Sequence, residues 1–189
     1  MEGCKESVIY FAGGCFWGTQ HYIAQFDGVL ETEVGYANGN IADPSYQQVY
    51  TDATGHAECV KVTYDNEVIS LRTLCRLFFI SIDPLLLNRQ GEDCGTRYRT
   101  GIYWTDESDE PIVNEVYEDI QLEYNQPLAV EKSPLLCFYT AEEYHQQYLI
   151  KNPDGYCHLS PSLMKYAKAF SKIITELRKC SDAQRNLSE

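Results

Sequence analysis

The sequence predicts a fold of the mixed α and β class, in which helices pack against one mixed β-sheet. Strand-like and helical runs alternate along the chain, but they form no long uninterrupted series of βαβ units. The 189 residues suffice for one domain that buries a full core without covalent crosslinks. Neither an internal repeat nor a low-complexity tract interrupts this pattern. We therefore expect one domain organised around a single sheet.

Hydrophobic spacing indicates where the elements lie. The predicted strands are near residues 8–12, 29–36, 59–64, 99–104 and 128–139. The predicted helices are near residues 16–26, 70–82, 111–125, 141–150 and 162–179. Pro111 suits the first turn of the third helix, where its missing N–H is not needed. The segment Thr140-Ala141-Glu142-Glu143 has the pattern of a capping box and predicts the start of the fourth helix.

The charge balance disfavours two classes of partner. The chain has 28 acidic and 15 basic residues, which gives a formal net charge of −13. Because affinity for phosphates depends on Lys and Arg, we expect no nucleic acid and no anionic membrane as partner. No apolar stretch is long enough to span a membrane, and residues 1–6 lack the basic and apolar regions of a secretion signal. We expect a cytoplasmic protein.

The eight cysteines are then interpreted for a reducing compartment. No two of them have Cys-x-x-Cys spacing, the usual signature of structural zinc and of thioredoxin-like sites. The pairs His56/Cys59 and Cys157/His158 lack a matching second pair at ligand spacing, so we expect no metal and no cofactor.

The cysteines fall into two groups by context. Those within apolar runs are expected to pack as small hydrophobic residues: Cys59, Cys75 and Cys137. Those in loops or near the termini remain candidates for redox chemistry: Cys4, Cys94, Cys157 and Cys180.

The most informative segment is Gly13-Gly14-Cys15-Phe16-Trp17-Gly18. It follows a predicted strand and opens a predicted helix, where unpaired N–H groups and the helix dipole favour a thiolate at Cys15. Phe16 and Trp17 add two aromatic faces, which suit a small apolar or sulfur-bearing group. A buried structural cysteine is the alternative interpretation. The flanking glycines and consecutive aromatic residues favour a functional one.

Two long polar segments, residues 35–56 and 88–100, accompany this cysteine. Long irregular segments inside small domains tend to be functional. Further short motifs occur within and after them: Pro44-Ser45-Tyr46, Thr54-Gly55-His56-Ala57-Glu58, Gln90-Gly91-Glu92-Asp93, Gly95-Thr96-Arg97-Tyr98-Arg99, His145-Gln146-Gln147-Tyr148 and Asn152-Pro153-Asp154-Gly155-Tyr156-Cys157. With Gly14-Cys15-Phe16-Trp17-Gly18, these motifs resemble the A-type methionine sulfoxide reductases in type and order. The resemblance covers roughly residues 7–158.

The resemblance implies an α+β fold, a two-layer sandwich with a ferredoxin-like core. It also implies that residues 1–158 form the catalytic reductase domain, with residues 159–189 as a helical extension of the same domain. Enzymes of this family reduce the S epimer of methionine sulfoxide. We therefore expect free or protein-bound methionine-S-sulfoxide as substrate.

Residue by residue, the resemblance matches Cys15 to the nucleophile that becomes a sulfenic acid. Phe16 and Trp17 match the walls of the pocket for the S-methyl group of the substrate. Cys157 matches the cysteine that resolves the sulfenic acid, and thioredoxin is the expected reductant of the resulting disulfide. Cys94, directly after Asp93, and Cys180 are the alternative resolvers, because both occur where many relatives differ from this chain.

Four polar residues match the groups that act on the sulfoxide oxygen. Tyr46, Glu58 and Tyr98 are expected to hydrogen-bond it, and Asp93 to support them. A carboxyl group can protonate this oxygen only if its pKa is raised by burial or by nearby negative charge. The two phenols can donate without any change of charge. In isolation these residue types are usually solvated, packing or turn-forming groups, and only the motifs single them out.

Two other classes of function remain open from the residues alone. The first is a different thiol enzyme, such as a peroxidase or a glutaredoxin-like reductase. The aromatic neighbours of Cys15 and the absence of Cys-x-x-Cys argue against it. The second is a binding module without catalysis, which the presence of the cysteine, the glutamate and both tyrosines disfavours.

Overall fold

The structure is a computed structural model that describes residues 6–186, with the side chains of 177–186 outside the description. Its main sheet has six strands in the order β7-β6-β1-β3-β2-β8. The six are β1 (Glu6–Gly13), β2 (Val29–Ala37), β3 (Ala57–Asp65), β6 (Thr100–Trp104), β7 (Glu131–Pro134) and β8 (Phe138–Thr140). Only β6 and β7 pair in parallel among these described strands, so the sheet is mixed as predicted. A separate ribbon joins β4 (Arg89–Gln90) to β5 (Asp93–Cys94).

Within residues 6–186, six α-helices accompany the strands: α1 (Phe16–Ile23), α2 (Tyr46–Tyr50), α3 (Leu71–Ser81), α4 (Glu110–Gln121), α5 (Tyr148–Lys151) and α6 (Pro161–Asn186). Short 3₁₀ turns occur at Thr96–Tyr98, Glu107–Asp109 and Glu143–His145. No helix in residues 6–186 combines the length and apolar character that crossing a membrane requires.

The alternation of side chains along β1 separates the two faces of the sheet. Ile9 and Phe11 belong to the larger core, which includes buried residues of α1, α3 and α4. Phe11 stacks on Phe78 of α3 with 4.8 Å between ring centroids. Tyr10 belongs to a smaller apolar cluster on the other face. This arrangement confirms the α+β class; a ferredoxin-like core stays an expectation with which the strand order is compatible.

Two predicted elements differ from the structure. The run 128–139 is two strands, and β7 ends at Pro134, which has no N–H to donate to a neighbouring strand. The predicted helix at 141–150 is wrong: the segment forms a 3₁₀ turn and then the short α5. Thr140 is the last residue of β8 and caps no helix. Gln147, with φ of 51°, has a left-handed backbone conformation that separates the 3₁₀ turn from α5. The side chain of Glu142 makes long-range contacts instead, which are described below.

The segment after residue 158 packs on the region around the end of α1. Leu159 and Ala167 join the larger core. Phe170 of α6 meets Phe26 edge to face with 5.9 Å between centroids, and the backbone N–H of Asp27 donates to Ser171 Oγ at 2.9 Å. The predicted C-terminal helix is thus present. The division at residue 158 stays an interpretation.

Candidate active site

Cys15 lies between the end of β1 and the start of α1. Gly14 has φ of +80°, a conformation that favours glycine, and Cys15 is the N-cap residue of α1. The Thr19 hydroxyl contacts the carbonyl oxygens of Gly13 and Cys15 at 3.1 and 3.3 Å, which fixes the turn. Cys15 is only 5% exposed. The strand-to-helix placement predicted from the sequence is therefore confirmed.

The protonation of Cys15 differs from the expectation of a favoured thiolate. Burial raises the pKa of the Cys15 thiol well above its ordinary value, and the charge of Glu58 adds to this effect. Hydrogen bonds from the backbone N–H groups of Trp17 and Gly18 lower the pKa, as the helix terminus predicts, but they do not outweigh burial. Cys15 is therefore a thiol at neutral pH, and two N–H donors can stabilise its thiolate form.

Glu58 lies on β3 and is 1% exposed. Its Oε2 accepts a 3.0 Å hydrogen bond from the backbone N–H of Phe16, the residue that follows the thiol. Burial raises the pKa of the Glu58 carboxyl to about 8, although the Phe16 hydrogen bond and the charge of Arg97 lower it. The carboxyl is therefore mostly protonated at neutral pH, which is the condition that the sequence argument requires of an acid.

Two phenols approach the same region from separate loops. Tyr46 is the first residue of α2, which a capping box between Ser45 and Gln48 begins. Tyr98 ends the 3₁₀ turn at Thr96–Tyr98. Burial raises the pKa of both phenols, and the nearby charge of Glu58 raises it further. Both therefore remain protonated donors.

Arg97 and Glu142 hold these phenols in place, and the sequence analysis did not assign either of them a role. The Arg97 guanidinium lies 4.4 Å from the centroid of the Tyr98 ring and pairs with Asp52 at 2.8 Å. Glu142 accepts the backbone N–H of Tyr46 at 2.8 Å and the Tyr36 hydroxyl at 2.6 Å. Arg97 and Glu142 both lie within sequence motifs named above, but most of the residues that they contact are distant in the chain.

Phe16 and Trp17 form aromatic surfaces beside the thiol. Phe16 is buried in the larger core, whereas Trp17 is partly exposed. The Trp17 ring stacks on Tyr148 with 3.8 Å between centroids, and its Nε1–H donates to Nδ1 of His145 at 3.1 Å. These two contacts fix the orientation of the indole. Trp17, two residues after Cys15, therefore keeps part of its surface exposed in a fixed orientation.

Asp93 and His158 approach the thiol from the side of the β4–β5 ribbon and the segment after α5. The Cys15 Sγ, a carboxylate oxygen of Asp93 and a ring nitrogen of His158 all lie within 4.8 Å of one another. The Tyr156 hydroxyl donates to Asp93 Oδ2 at 3.0 Å. The absence of a metal stays a prediction, and we assign this group to thiol chemistry. His158 was considered in the sequence only as a metal ligand and disfavoured.

The candidate resolving cysteines differ in placement. A methyl group placed on Gly18 would lie 3.3 Å from the Cys157 Sγ, so this thiol borders the first turn of the helix that Cys15 begins. Cys94 is exposed on β5, directly after Asp93. Cys4 and the side chain of Cys180 lie outside the described residues. The six cysteines whose side chains are described are all free thiols.

A mixed sheet that carries a buried thiol beside a protonated carboxyl and two phenols defines a thiol-dependent enzyme of the α+β class. The chain belongs to the peptide methionine sulfoxide reductase family, whose sequence model matches residues 7–176. The enzyme is thus a reductase of methionine sulfoxide, as the resemblance implied.

Individual relatives agree with this assignment. The peptide methionine sulfoxide reductase MsrA of Clostridium acetobutylicum is 52% identical over 157 residues, which cover 83% of this chain and 97% of that protein. The structure of reduced Mxr1 from Saccharomyces cerevisiae has a TM-score of 0.79 at 37% identity, over 84% of this chain and 93% of that one. Mxr1 in complex with Trx2 has a TM-score of 0.54 at 26% identity, over 78% and 87% of the two chains.

Proposed function

We propose that this enzyme reduces methionine-S-sulfoxide, free or in proteins, by attack of Cys15 on the substrate sulfur. The observation that carries the proposal is the buried Glu58 carboxyl, with a pKa of about 8, hydrogen-bonded to the N–H of Phe16 beside the thiol. A sulfoxide oxygen is a poor leaving group until it is protonated. An acid that stays protonated at neutral pH is the group this reaction needs.

In the first step the Cys15 sulfur bonds to the sulfoxide sulfur while the proton of Glu58 passes to the sulfoxide oxygen, and the proton that leaves the Cys15 thiol restores the Glu58 carboxyl. Tyr46 and Tyr98 donate hydrogen bonds to the same oxygen as its charge develops. The N–H groups of Trp17 and Gly18 support the thiolate during attack. The hydroxyl group then moves from the substrate sulfur to the Cys15 sulfur: the sulfur–oxygen bond of the substrate and the bond between the two sulfurs break, a sulfur–oxygen bond forms on Cys15, and methionine leaves while Cys15 holds the oxygen as a sulfenic acid. The substrate sulfur gains two electrons and the Cys15 sulfur loses two.

The aromatic residues are proposed to select the substrate. Trp17, held by Tyr148 and His145, offers a flat apolar face to the S-methyl group, and Phe16 closes the wall behind it. Sulfur and methyl groups pack favourably against aromatic rings. Asp93 supports the polar side of the site together with Tyr156.

Cys157 is the proposed resolving residue. Its thiol bonds to the Cys15 sulfur, the sulfur–oxygen bond of the sulfenic acid breaks, and water leaves. Support comes from the position of the Cys157 Sγ beside the first turn of α1. Thioredoxin would then reduce the disulfide, as the yeast relative in complex with Trx2 suggests. We place this cycle in the cytoplasm, where thiols are kept reduced, as a repair reaction for oxidised methionine.

The direct test is the variant Cys15→Ser in a single-turnover assay with each epimer of methionine sulfoxide. We expect no methionine from the S epimer with this variant, at an unchanged thermal midpoint. Cys137→Ser is the matched control, because Cys137 is a half-buried thiol outside the site. Methionine production by Cys15→Ser at the rate of the unmodified enzyme would refute the proposal. A preference of the unmodified enzyme for the R epimer would refute the assigned stereochemistry.

A further inference from the structure

One ring nitrogen of His158 has a hydrogen-bond partner, and the other has none among the described residues. Nε2 lies 3.1 Å from the carbonyl oxygen of Gly13. Because a carbonyl oxygen only accepts, this contact places the proton on Nε2. In the neutral ring Nδ1 then carries a lone pair. Nδ1 is buried, and no hydrogen-bond partner for it occurs among the described residues.

This second nitrogen, Nδ1, lies near the proposed resolving thiol of Cys157. A methyl group placed on Gly18 would be 2.8 Å from His158 Nδ1 and 3.3 Å from Cys157 Sγ. The two atoms therefore border one small space, which exists because residue 18 has no side chain. The Cys15 Sγ is close as well, within 4.8 Å of a ring nitrogen of His158. The Nδ1 lone pair thus borders the same space as the Cys157 thiol, and the imidazole also lies near the Cys15 thiol.

Burial favours the neutral form of the His158 ring, and three titratable groups among the described residues face it. The titratable groups that face it are Cys15 from the start of α1, Asp93 from β5, and Cys157 from its own segment. Burial lowers the pKa of the His158 imidazole, while the charge of Asp93 and the contact with Gly13 raise it. Burial also raises the pKa of the Cys157 thiol. A protonated thiol therefore stands beside a neutral base.

We propose that His158 is the general base and acid of the resolving step, moving the proton of the Cys157 thiol to the departing oxygen of the Cys15 sulfenic acid. The bond between the two sulfurs forms as the sulfur–oxygen bond of Cys15 breaks. Nδ1 takes the proton from Cys157 and delivers it to the leaving hydroxide, which departs as water. No external oxidant is needed, because the sulfenic acid is the oxidant. This inference rests on the proposed role of Cys157.

The test separates the two chemical steps in one experiment. Reduced enzyme is mixed with one equivalent of methionine-S-sulfoxide without reductant. Methionine release reports the first step, and quench-flow mass mapping of the Cys15–Cys157 disulfide reports the second. We expect His158→Gln to slow disulfide formation by about tenfold or more beyond any change in methionine release, since general acid–base catalysis contributes at least that much. Dimedone should then trap sulfenic acid on Cys15.

Two further variants separate proton transfer from a structural role. In His158→Ala, added imidazole should restore disulfide formation in proportion to its unprotonated fraction, which a purely structural defect would not allow. His21→Gln, the same change at a histidine in the last turn of α1, should leave both rates as they are. Equal disulfide rates in the unmodified enzyme and His158→Gln would overturn the inference, as would a loss that imidazole does not restore.

Failure of this inference is distinguishable from failure of the proposed function. If Cys157→Ser leaves disulfide formation unchanged, then Cys157 is not the resolver and both proposals about this step fall. If Cys157→Ser abolishes the disulfide but His158→Gln does not slow it, only the role of His158 falls.

Discussion

The backbone N–H of Phe16 donates a 3.0 Å hydrogen bond to Oε2 of Glu58. The residue that follows the thiol therefore orients the carboxyl that is proposed to act with it. Because Glu58 is buried, this single N–H does not compensate for the loss of water around a carboxylate, and the carboxyl stays protonated at neutral pH. The helix that begins after Cys15 thus positions both partners of the proposed reaction.

This burial makes Glu58 costly for stability, and the sign of the effect is testable. The folded-state pKa of Glu58 is about 8, against an ordinary value of 4.5. The protonated Glu58 carboxyl makes its full contribution to the free energy of unfolding below pH 4.5. This contribution is lost as the pH rises through about 8, because Glu58 ionises at lower pH in the unfolded chain than in the folded one. Glu58→Gln removes this dependence.

We therefore expect the free energy of unfolding of Glu58→Gln to rise relative to the unmodified enzyme between pH 5 and pH 8. The change should be a few kcal/mol, at about 1.4 kcal/mol for each pKa unit. Urea unfolding at several pH values measures it. Glu31→Gln, an exposed change on β2, is the control and should follow the unmodified enzyme. Parallel curves for Glu58→Gln and the unmodified enzyme would show that Glu58 has an ordinary pKa.

The same substitution should slow catalysis less than loss of the thiol does. Glutamine keeps a hydrogen-bonding group near the sulfoxide oxygen but carries no acidic proton. We expect methionine formation by Glu58→Gln to fall by about 10²- to 10⁴-fold, the usual contribution of general acid catalysis, and to remain measurable. Single-turnover methionine release at pH 7 gives the rate. A rate as low as that of Cys15→Ser would mean that proton donation is indispensable.

The two phenols should share the work of stabilising the sulfoxide oxygen. We expect Tyr46→Phe and Tyr98→Phe each to lower kcat/KM by about tenfold, since each removes one hydrogen bond to a developing charge. The double variant should lose more than the product of the two, because each hydroxyl substitutes in part for the other. Tyr166→Phe on α6 is the control. A single variant with unchanged kcat/KM would place that phenol outside the reaction.

Trp17 should act on substrate binding. Trp17→Ala removes the indole that Tyr148 holds in place. We expect KM for methionine-S-sulfoxide to rise by about tenfold, in line with burial of a methyl group and its sulfur. Trp17→Phe keeps an aromatic ring but loses the donor to His145, so an intermediate KM is expected. Trp104→Phe, in the core, should alter stability without altering KM. An unchanged KM in Trp17→Ala would exclude Trp17 as a pocket wall.

Periodic segments of the fold could be predicted from sequence because their side chains report directly on burial. The strands at β1, β2, β3 and β6 and the helices α1, α3, α4 and α6 all follow the expected spacing. The region after β8 could not be predicted in this way. Its side chains serve remote partners, as Glu142 does with Tyr36 and Tyr46, and a local capping pattern therefore pointed to a helix that does not form.

The candidate site shows the same division. Motifs named Cys15, Glu58 and both phenols, and the structure brings them into one region. The raised pKa of the Cys15 thiol, by contrast, depends on how completely the surrounding chain excludes water. A local sequence pattern does not predict this degree of burial. The role of His158 as a base could not be predicted from the sequence either, because it depends on which ring nitrogen contacts the Gly13 carbonyl.

The most direct test of the account is mass mapping of disulfides after one equivalent of methionine-S-sulfoxide, with no reductant present. We predict one bond, between Cys15 and Cys157, and one equivalent of methionine. A bond from Cys15 to Cys94 or Cys180 would keep the reductase but contradict the resolving role of Cys157. Methionine formed while Cys15 stays a free thiol would contradict the central claim that Cys15 is the nucleophile.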